Sequence, residues 1–327
     1  MAKAEAGAQP LRLGTRGSAL ALAQSGQIAR RLEALGHAVE LVVIRTTGDK
    51  LANVSLAKVG GKGLFLKEIE EALAAGAIDV AVHSLKDVPA DLARGFAIAA
   101  VPERADVRDV IVARAPDAGG EAAAGGLAVL RALPANARVA TGSLRRRAQL
   151  RAIRADLDVP GMRGNVDTRL AKLRAGAADA IVLAAAGLAR LGVAVDAAPL
   201  DPGSFLPAPG QGALALEVRA GDAGVAAAVA ALDDPATASA CEAERAFLRA
   251  LGASCQVPVA AYARAGAQGE LLVDGLVASL DGAEVVRERV AGAPGRAAAL
   301  GTELAERVAA RGGRDILARV VREIGSL

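Results

Sequence analysis

The sequence contains an internal repeat, and this repeat restricts the possible folds more than any other feature of the chain. Residues 175–182 match residues 75–82 at an offset of one hundred, and five of the eight positions are identical. In both copies an Ala-Gly turn at the end of a helical stretch leads to an aspartate and then to apolar residues typical of a buried strand. The repeat therefore predicts two similar α/β lobes.

The two predicted lobes also open in the same way. Residues 11–13 and residues 138–140 each predict a short strand, followed by a loop and a serine that can cap a helix, Ser18 or Ser143. The helix after Ser18 is expected to end at Gly36. Further predictions are buried strands at 41–44 and 77–82, a helix at 64–74, and a surface insertion in the Ala/Gly-rich residues 115–134.

Two segments are candidates for crossings between the lobes. Residues 103–109 are charged and loop-like, and the proline-rich residues 199–212 precede a strand at 213–218 that could rejoin the first lobe. Two crossings between two lobes are typical of a hinged cleft. From residue 235 onward, a helix, three strands and two more helices predict a small α+β domain. The predicted boundaries are 8–104 with 210–231 for domain 1, 105–209 for domain 2 and 232–327 for domain 3.

The composition narrows the class of ligand. The chain has 327 residues, 53% of them hydrophobic, which is enough for a large core, but its net charge is only +3. Aromatic residues make up 2% of the chain, so stacking platforms for nucleic acids would be scarce. Arginine side chains suit a small polycarboxylate or phosphate better. The two cysteines and two histidines have no metal-ligand spacing, so the sequence predicts neither a zinc site nor a disulfide framework.

The apolar runs of the sequence indicate the cellular compartment of the protein. The first residues lack the apolar stretch of a signal peptide. No apolar run reaches the length of a membrane span. We therefore expect a cytoplasmic protein.

The stretch His83-Ser84-Leu85-Lys86-Asp87-Val88-Pro89 follows the predicted strand 77–82 and carries ionisable groups. In open α/β sheets, ligands bind at the carboxyl ends of the strands. Pro89 cannot continue the strand ladder, so a turn is expected here. Lys86 and Asp87 are therefore candidates for a functional turn, and the alternative is an ordinary solvated turn with an ion pair.

Arginines cluster where helices or loops begin. Arg145 and Arg146 fall in the first turn of the helix capped by Ser143, where a cation opposes the helix dipole at a cost of roughly 0.3–1 kcal/mol. A bound anion that uses the arginines and the free backbone N–H groups would explain this placement. Side chains that bend back to solvent would explain it as well. Other arginines at strand ends or helix starts are Arg16, Arg163, Arg169 and Arg190.

Two further features lie in predicted loops. Lys58-Val59-Gly60-Gly61-Lys62-Gly63 is too rich in glycine for a stable element and is either a mobile lid or a plain surface loop. Cys255 lies between Gly-Ala-Ser and Gln-Val-Pro, where a thiol can be presented for reaction or covalent modification. Cys241 lies on an Ala-rich helix and is expected to be a small buried residue.

The segments that carry this chemistry follow one another over nearly the whole chain. They are Gly14-Thr15-Arg16-Gly17-Ser18, Lys58-Val59-Gly60-Gly61-Lys62-Gly63-Leu64-Phe65, His83-Ser84-Leu85-Lys86-Asp87-Val88-Pro89, Ser143-Leu144-Arg145-Arg146, Arg163-Gly164-Asn165-Val166-Asp167-Thr168-Arg169-Leu170, Pro209-Gly210-Gln211-Gly212 and Cys255-Gln256-Val257-Pro258. Together they resemble the motifs of the porphobilinogen deaminase family, whose members are also called hydroxymethylbilane synthases. Ala19 and Ala23 depart from the Pro and Trp of many members, but neither position carries a chemical role.

The resemblance implies a fold, a reaction and a cofactor. The fold would be α/β, with two hinged lobes like those of periplasmic binding proteins and a small α+β C-terminal domain. The enzyme would be a transferase of porphyrin and heme biosynthesis. It would condense four porphobilinogen molecules head to tail onto a covalent dipyrromethane primer, releasing ammonia and then the linear tetrapyrrole hydroxymethylbilane. It would act as a cytoplasmic monomer, with no metal, nucleic acid or membrane as partner.

The resemblance also assigns roles to individual residues. Cys255 would carry the dipyrromethane cofactor through a thioether, and Asp87, with Lys86, would act in catalysis. Seven further residues would bind the cofactor, namely Ser18, Lys86, Asp87, Thr141, Ser143, Arg145 and Arg146. The substrate-binding residues would be Arg16, Arg163, Arg169 and Arg190, and the lid residues Lys58 and Lys62.

The chemistry of porphobilinogen fits these residue types. The substrate is a pyrrole with acetate and propionate side chains, and loss of ammonia from its aminomethyl group leaves a cation that a fixed carboxylate can stabilise. Two other classes of protein stay open. A non-enzymatic anion receptor would share the lobes and arginines but lack the Cys255 loop, and a basic nucleic-acid binder would show strongly salt-dependent affinity for DNA.

Overall fold

The computed structural model describes residues 9–46, 66–114, 125–254 and 256–325. The predicted lid residues Lys58 and Lys62 and the predicted attachment site Cys255 lie outside the described residues. Among the residues described, no helix combines the length and the apolar character needed to cross a bilayer.

The described chain divides into two compact units. Unit 1 contains residues 9–46, 66–104 and 213–238, and unit 2 contains residues 105–114, 125–212 and 239–325 without Cys255. The chain therefore leaves unit 1 in the first predicted crossing and returns at the end of the second. The division into three domains stays a prediction.

Unit 1 is built around a mixed five-stranded sheet. Its strands are β1 (Leu11–Arg16), β2 (Val39–Ile44), β3 (Val80–Ser84), β4 (Phe96–Ala100) and β9 (Leu214–Arg219), and its helices are α1 (Ala19–Ala34), α2 (Lys67–Ala74) and α7 (Ala223–Ala230). The strand order is β2-β1-β3-β9-β4. Strand β1 is parallel to β2 and β3, whereas β9 is antiparallel to β3 and β4. The strand predicted at 213–218 therefore does rejoin the first lobe.

Different helices cover the two faces of this sheet. Val80 and Val82 of β3 share a core cluster with Ile28 and Leu32 of α1. Ala81, between the two valines, belongs instead to a cluster with residues of α2. Because β3 is covered on both faces, Val80, Ala81 and Val82 are apolar without alternation, which is the pattern of a buried strand.

Unit 2 contains a four-stranded and a three-stranded sheet. The first has the strands β5 (Asp109–Ala113), β6 (Val139–Ala140), β7 (Ala180–Ala184) and β8 (Ala198–Leu200) and the helices α3 (Gly126–Ala132), α4 (Leu144–Ile153), α5 (Val166–Arg174) and α6 (Ala185–Leu191), in the order β6-β7-β5-β8. The second has the antiparallel strands β10 (Val259–Ala265), β11 (Leu271–Ala278) and β12 (Val285–Gly292), packed with the helices α8 (Pro235–Leu251, whose first turn belongs to unit 1), α9 (Ala297–Ala310) and α10 (Gly313–Gly325). The predicted α/β class with a small C-terminal α+β part is confirmed.

The internal repeat corresponds to a repeated contact. Asp79 accepts a hydrogen bond from the backbone N–H of Arg12 at 3.0 Å and forms an ion pair with its guanidinium at 2.7 Å. Asp179, one hundred positions later, accepts from the backbone N–H of Arg138 at 2.8 Å and pairs with its guanidinium at 3.2 Å. In both sheets the repeated aspartate therefore connects the turn before one strand (β3 or β7) with the start of the parallel strand beside it (β1 or β6).

A second arginine reaches each of these aspartates from an antiparallel strand. Arg219, the last residue of β9, lies 3.4 Å from Asp79, and Arg114, just after β5, lies 3.5 Å from Asp179. Strand β9 lies beside β3 as β5 lies beside β7. The two sheets thus share their strand arrangement as well as their ion pairs, which confirms the prediction of two similar α/β lobes.

Three sequence-based predictions of local structure are wrong. Strand β2 is an edge strand and not a buried one, since Leu41 is 40% and Val43 is 51% exposed. Residues 126–132, within the predicted surface insertion, form α3, and Leu130 of this helix is fully buried. The strand predicted at 77–82 begins only at Val80, because the backbone N–H groups of Ala77 and Ile78 still donate to the carbonyl of Ala72 near the end of α2.

Candidate functional site

The turn that follows β3 is held in place at its first residue, Leu85. Leu85 begins a single 3₁₀ turn, Leu85–Asp87, and its side chain is 2% exposed. Its backbone N–H donates to the carbonyl of Ala213 at 3.0 Å, and the N–H of Val88 donates to the carbonyl of Leu85 at 3.1 Å. A buried side chain and two backbone hydrogen bonds therefore fix this turn in unit 1.

Lys86 and Asp87 follow Leu85 in this turn and lie closer to solvent. Lys86 is half-buried and Asp87 is exposed. Ser84, just before the turn, accepts a hydrogen bond from Nε2 of Gln24 in α1 at 2.8 Å. The turn predicted from the sequence is confirmed, and it presents a carboxylate on a fixed backbone.

Two more predicted residues lie at the same edge of the sheet. Arg16 is the last residue of β1, which is parallel to β3 and adjacent to it. Ser18 caps α1 as predicted, and its hydroxyl accepts from the backbone N–H of Ala21 at 3.3 Å. Because the carboxyl ends of parallel neighbours meet at one edge, Arg16 and Ser18 share that edge with the Asp87 turn.

A buried polar pair lies directly behind the turn. Nε2 of His83 and Oε2 of Glu217 in β9 are 2.9 Å apart, and both residues are buried. Burial, followed by the negative charge of Glu217, raises the pKa of nearby Glu70 in α2. His83 belongs to the functional stretch predicted from the sequence, but no local pattern indicates its partner, because Glu217 lies 134 positions further along the chain.

In unit 2 the loop between β6 and α4 carries two predicted hydroxyl groups. Ser143 caps α4 as predicted and accepts from the backbone N–H of Arg146 at 3.4 Å. The N–H of Ser143 in turn donates to Oγ1 of Thr141 at 3.2 Å. Gly142 between them leaves little room for a side chain, because an added Cβ would lie 3.0 Å from the carbonyl oxygen of Met162.

This loop forms one wall of a cavity of about 320 Å³. Thr141 and Ser143 line it, and Arg163 faces it from the loop before α5. Two cations to which the sequence motifs gave no role, Arg147 and Lys172, also line the cavity. Among the described residues that form its walls none is acidic. The cavity therefore brings together two predicted cofactor-binding residues and one predicted substrate-binding residue.

Arg145 and Arg146 point away from solvent. Their side chains are 5% and 7% exposed, and each lies 2.8 Å from a carboxylate oxygen of Asp109, the first residue of β5. Arg145 also donates to the carbonyl of Leu206, and Arg146 donates to that of Val182. The explanation that these side chains bend back to solvent is therefore wrong. A buried acidic partner within the protein was not predicted from the sequence.

Asp109 is the centre of this buried network. Burial by itself would raise the pKa of Asp109, but the charges of Arg145 and Arg146 outweigh it and hold the pKa far below its usual range. Gln211, in the second crossing, donates to Asp109 at 2.9 Å and to the carbonyl of Val107 at 2.8 Å. The network thus ties both crossings to the start of α4. The role of Arg145 and Arg146 in holding a cofactor stays a prediction.

Arg169 and Arg190, also predicted to bind substrate, are partly buried. Nε of Arg169 in α5 donates to the carbonyl of Gly164 at 2.8 Å. Burial and the nearby charges of Arg146 and Arg163 lower the pKa of Arg169 to about 10, so it stays charged at neutral pH. Arg190 lies in the last turn of α6 and donates to the carbonyl of Gly212 at 2.7 Å, and burial lowers its pKa.

Cys241 lies in α8 and is 1% exposed, which confirms its prediction as a buried residue. Cys255, Lys58 and Lys62 lie outside the described residues, so their roles stay predictions. Among the described residues no group of three or more histidine, cysteine, aspartate or glutamate side chains could hold a metal ion.

Comparisons with known proteins identify the family. A family model described as "Porphobilinogen deaminase, dipyromethane cofactor binding domain" matches residues 11–227, and one described as "Porphobilinogen deaminase, C-terminal domain" matches residues 238–310. The porphobilinogen deaminase of Syntrophobacter fumaroxidans is 50% identical over 315 residues, covering 95% of this chain and 98% of that protein. The porphobilinogen deaminase of Syntrophus aciditrophicus is 48% identical over 311 residues, covering 94% of this chain and 97% of that protein.

Among solved structures, a periplasmic substrate-binding protein of an ABC transporter from Coxiella burnetii aligns with a TM-score of 0.40 and 16% identity, over 70% of this chain and 94% of that chain. The sequence matches, in contrast, cover both the cofactor-binding and the C-terminal family models and nearly the full length of the named relatives. The chain belongs to the porphobilinogen deaminase family.

Proposed function

We propose that this chain joins four porphobilinogen molecules head to tail on a dipyrromethane primer attached to Cys255, and then releases hydroxymethylbilane. The observation that carries the proposal is the cavity of unit 2, whose described walls offer hydroxyl groups and cations but no carboxylate. Such walls suit a chain of pyrroles that bears acetate and propionate groups. A cationic ligand would find no counter-charge there.

The residues around this cavity fit the dipyrromethane cofactor. Thr141 and Ser143 would hold its carboxylates with their hydroxyl groups, and Arg163 lies in the same walls. Ser18 and Lys86 of unit 1 are proposed as further cofactor-binding residues. When bound, the cofactor supplies the pyrrole carbon to which the first substrate is joined.

Asp87 is proposed as the catalytic carboxylate, with Lys86 beside it. The backbone of its turn is fixed at Leu85, so the exposed carboxylate needs little reorganisation to meet a substrate. Loss of ammonia leaves a positive charge on the pyrrole of the substrate, and a preorganised carboxylate stabilises that charge. The same group can accept the proton that is released once two rings have been joined.

The remaining arginines are proposed to hold the carboxylates of the substrate and of the growing chain. Every added ring brings another acetate and propionate, which explains why the chain has several such residues. They are Arg16, Arg163, Arg169 and Arg190, and Lys58 and Lys62 are proposed to belong to a lid.

Arg145 and Arg146 keep their proposed role toward the cofactor. A guanidinium has five N–H donors, and those not used on Asp109, Leu206 or Val182 are left for a ligand. Asp109 would then orient both side chains before a ligand arrives.

We further propose that the enzyme works as a cytoplasmic monomer without a nucleic-acid partner. The net charge of +3 supports the absence of a nucleic-acid partner, because 39 basic residues are nearly balanced by 36 acidic ones. Many arginines are already paired within the protein, including those on Asp79, Asp109 and Asp179. Binding to DNA that falls steeply with added salt would contradict this part of the proposal.

The attachment of the cofactor can be tested by the intact mass of the protein. The wild-type protein is expected to be heavier than its sequence by two pyrrole units, and Cys255→Ser is expected to show the sequence mass. Cys241→Ser serves as the control, because this buried thiol in α8 should not affect loading. A wild-type protein that turns over porphobilinogen at its unmodified sequence mass would contradict the covalent primer.

A further inference from the structure

The cavity beside Thr141 and Ser143 is lined by two cations that the family motifs leave without a role. Arg147 and Lys172 contribute to its walls together with Arg163. Among the described lining residues, these three positive charges face no negative one. The cavity therefore has more capacity for carboxylates than the motif residues account for.

The three successive arginines at the start of α4 go to different places. Arg145 and Arg146 are buried on Asp109, whereas Arg147, about 100° further around the helix axis, lines the cavity. Nε of Arg147 is buried and finds no hydrogen-bond acceptor among the described residues. Nε of Arg151 is buried and without an acceptor in the same way, so what sets Arg147 apart is its place in the cavity wall, where its guanidinium can meet a carboxylate.

The surroundings of Arg147 are short of negative charge. Burial and the charge of Arg151, one turn further along α4, lower the pKa of Arg147, and the charge of Asp158 opposes them. Two like charges four residues apart destabilise a helix. A sequence that keeps Arg147 here accepts this cost, and an anion in the cavity would offset it.

Lys172 approaches the same cavity from α5. Its Nζ donates to the backbone carbonyl of Arg163 at 3.1 Å. An ammonium group has three donors, so this bond leaves others for a ligand. The hydrogen bond also holds Lys172 against the loop that carries Arg163, which keeps the two cations together.

We propose that Arg147, assisted by Lys172, forms a carboxylate-binding subsite in this cavity, in addition to the residues that the family motifs supply. The subsite rests on the proposed function, because the carboxylates it would take are those of the pyrrole rings. It would strengthen the hold on the growing chain without touching the reacting atoms. Arg147 and Lys172 are therefore binding residues and not catalytic ones.

The test compares Arg147→Gln with Arg151→Gln. Both variants remove a cation with a buried, unpaired Nε from the same helix, but only Arg147 lines the cavity. Arg147→Gln is expected to lower kcat/KM for porphobilinogen by about tenfold or more, mainly through KM, because it removes a hydrogen bond to a charged group. Lys172→Gln, at an exposed position, is expected to lower it by about two- to fivefold, and less at high salt. Arg151→Gln is expected to stay within about twofold of wild type.

A second measurement does not depend on turnover. Citrate, a small polycarboxylate, is expected to raise the melting temperature of the full-length Cys255→Ser protein, whose cavity holds no covalent cofactor, at constant ionic strength. The same shift is expected when Arg151→Gln is added to this protein, and a much smaller one when Arg147→Gln is added. If the wild type released no ammonia from porphobilinogen, the proposed function would be wrong. The citrate shift would still show whether Arg147 binds carboxylates. Equal citrate shifts in Arg147→Gln and Arg151→Gln, or equal kcat/KM values, would overturn the subsite.

Discussion

Asp87→Asn is expected to lower kcat by more than ~10³-fold, to near background, while the protein keeps its covalent primer when this is supplied preassembled. Asn has nearly the shape of Asp but no charge, so the variant keeps the turn fixed by Leu85 and loses the stabilisation of the pyrrole cation. Loss of one preorganised electrostatic partner typically costs ~10²–10³-fold, and loss of the proton acceptor adds to this. The measurement is single-turnover release of ammonia from cofactor-loaded protein.

Asp87→Glu separates charge from position. Glu keeps the carboxylate but displaces it, and a displacement on the order of 1 Å can cost ~10²-fold, so this variant should be weak but measurable. Enzyme-bound intermediates should accumulate, because the joining of pyrrole rings is slowed while the enzyme still binds the substrate. Asp91→Asn, at an exposed acid four residues further along, is the control and should stay near wild type. If Asp87→Asn were more active than Asp87→Glu, the carboxylate would act only as a hydrogen-bond acceptor.

Asp109→Asn is expected to give the largest loss of stability among single substitutions of charged residues in unit 2. It removes the charge that compensates two buried guanidinium groups, and breaking a buried ion pair in this way costs about 3–5 kcal/mol. The measurement is the free energy of unfolding and the melting temperature at neutral pH. Because the pKa of Asp109 is held low in the folded state, its contribution is complete above pH ~4 and is lost as the pH falls below that value. The deficit of the variant should therefore shrink in acid.

Asp106→Asn is the matched control for this prediction. Asp106 pairs with Arg108 at 2.7 Å only three residues before Asp109, but both side chains are substantially exposed. An exposed pair of this kind contributes about 0–1 kcal/mol. Equal losses in Asp106→Asn and Asp109→Asn would show that the buried network is not what holds the start of α4.

The parts of the site that the sequence predicted depend on short-range patterns. Ser18 and Ser143 could be recognised as caps because a serine before a helical stretch is a local signal. The turn at Asp87 could be recognised because a buried strand ends there and Pro89 prevents its continuation. The repeat gave both aspartates, Asp79 and Asp179, from their place between a turn and a strand.

The parts that the sequence did not predict depend on contacts between distant residues. The partner of Arg146 lies 37 residues earlier in β5, and no local pattern assigns a buried carboxylate to a particular arginine. Strand β2 has the composition of a buried strand, but its place at the sheet edge depends on the order of strands. In residues 126–132 the abundance of Ala and Gly concealed the apolar side of α3, on which Leu130 is buried. Arg147 could have been noticed as the third member of a triplet whose first two members go elsewhere.

The place of β9 has a consequence for the order in which the chain can fold as the ribosome makes it. Strand β9 lies between β3 and β4, and Ala213 just before it holds Leu85. Until residue 219 has been synthesised, β3 presents an open edge and the turn that carries Asp87 lacks its backbone partner. The four-stranded sheet of unit 2, in contrast, has all of its strands once Leu200 has been made. Domains usually complete their folding in the order of synthesis. Here unit 1 is begun first, but its sheet can be completed only after all strands of the four-stranded sheet of unit 2 have been made.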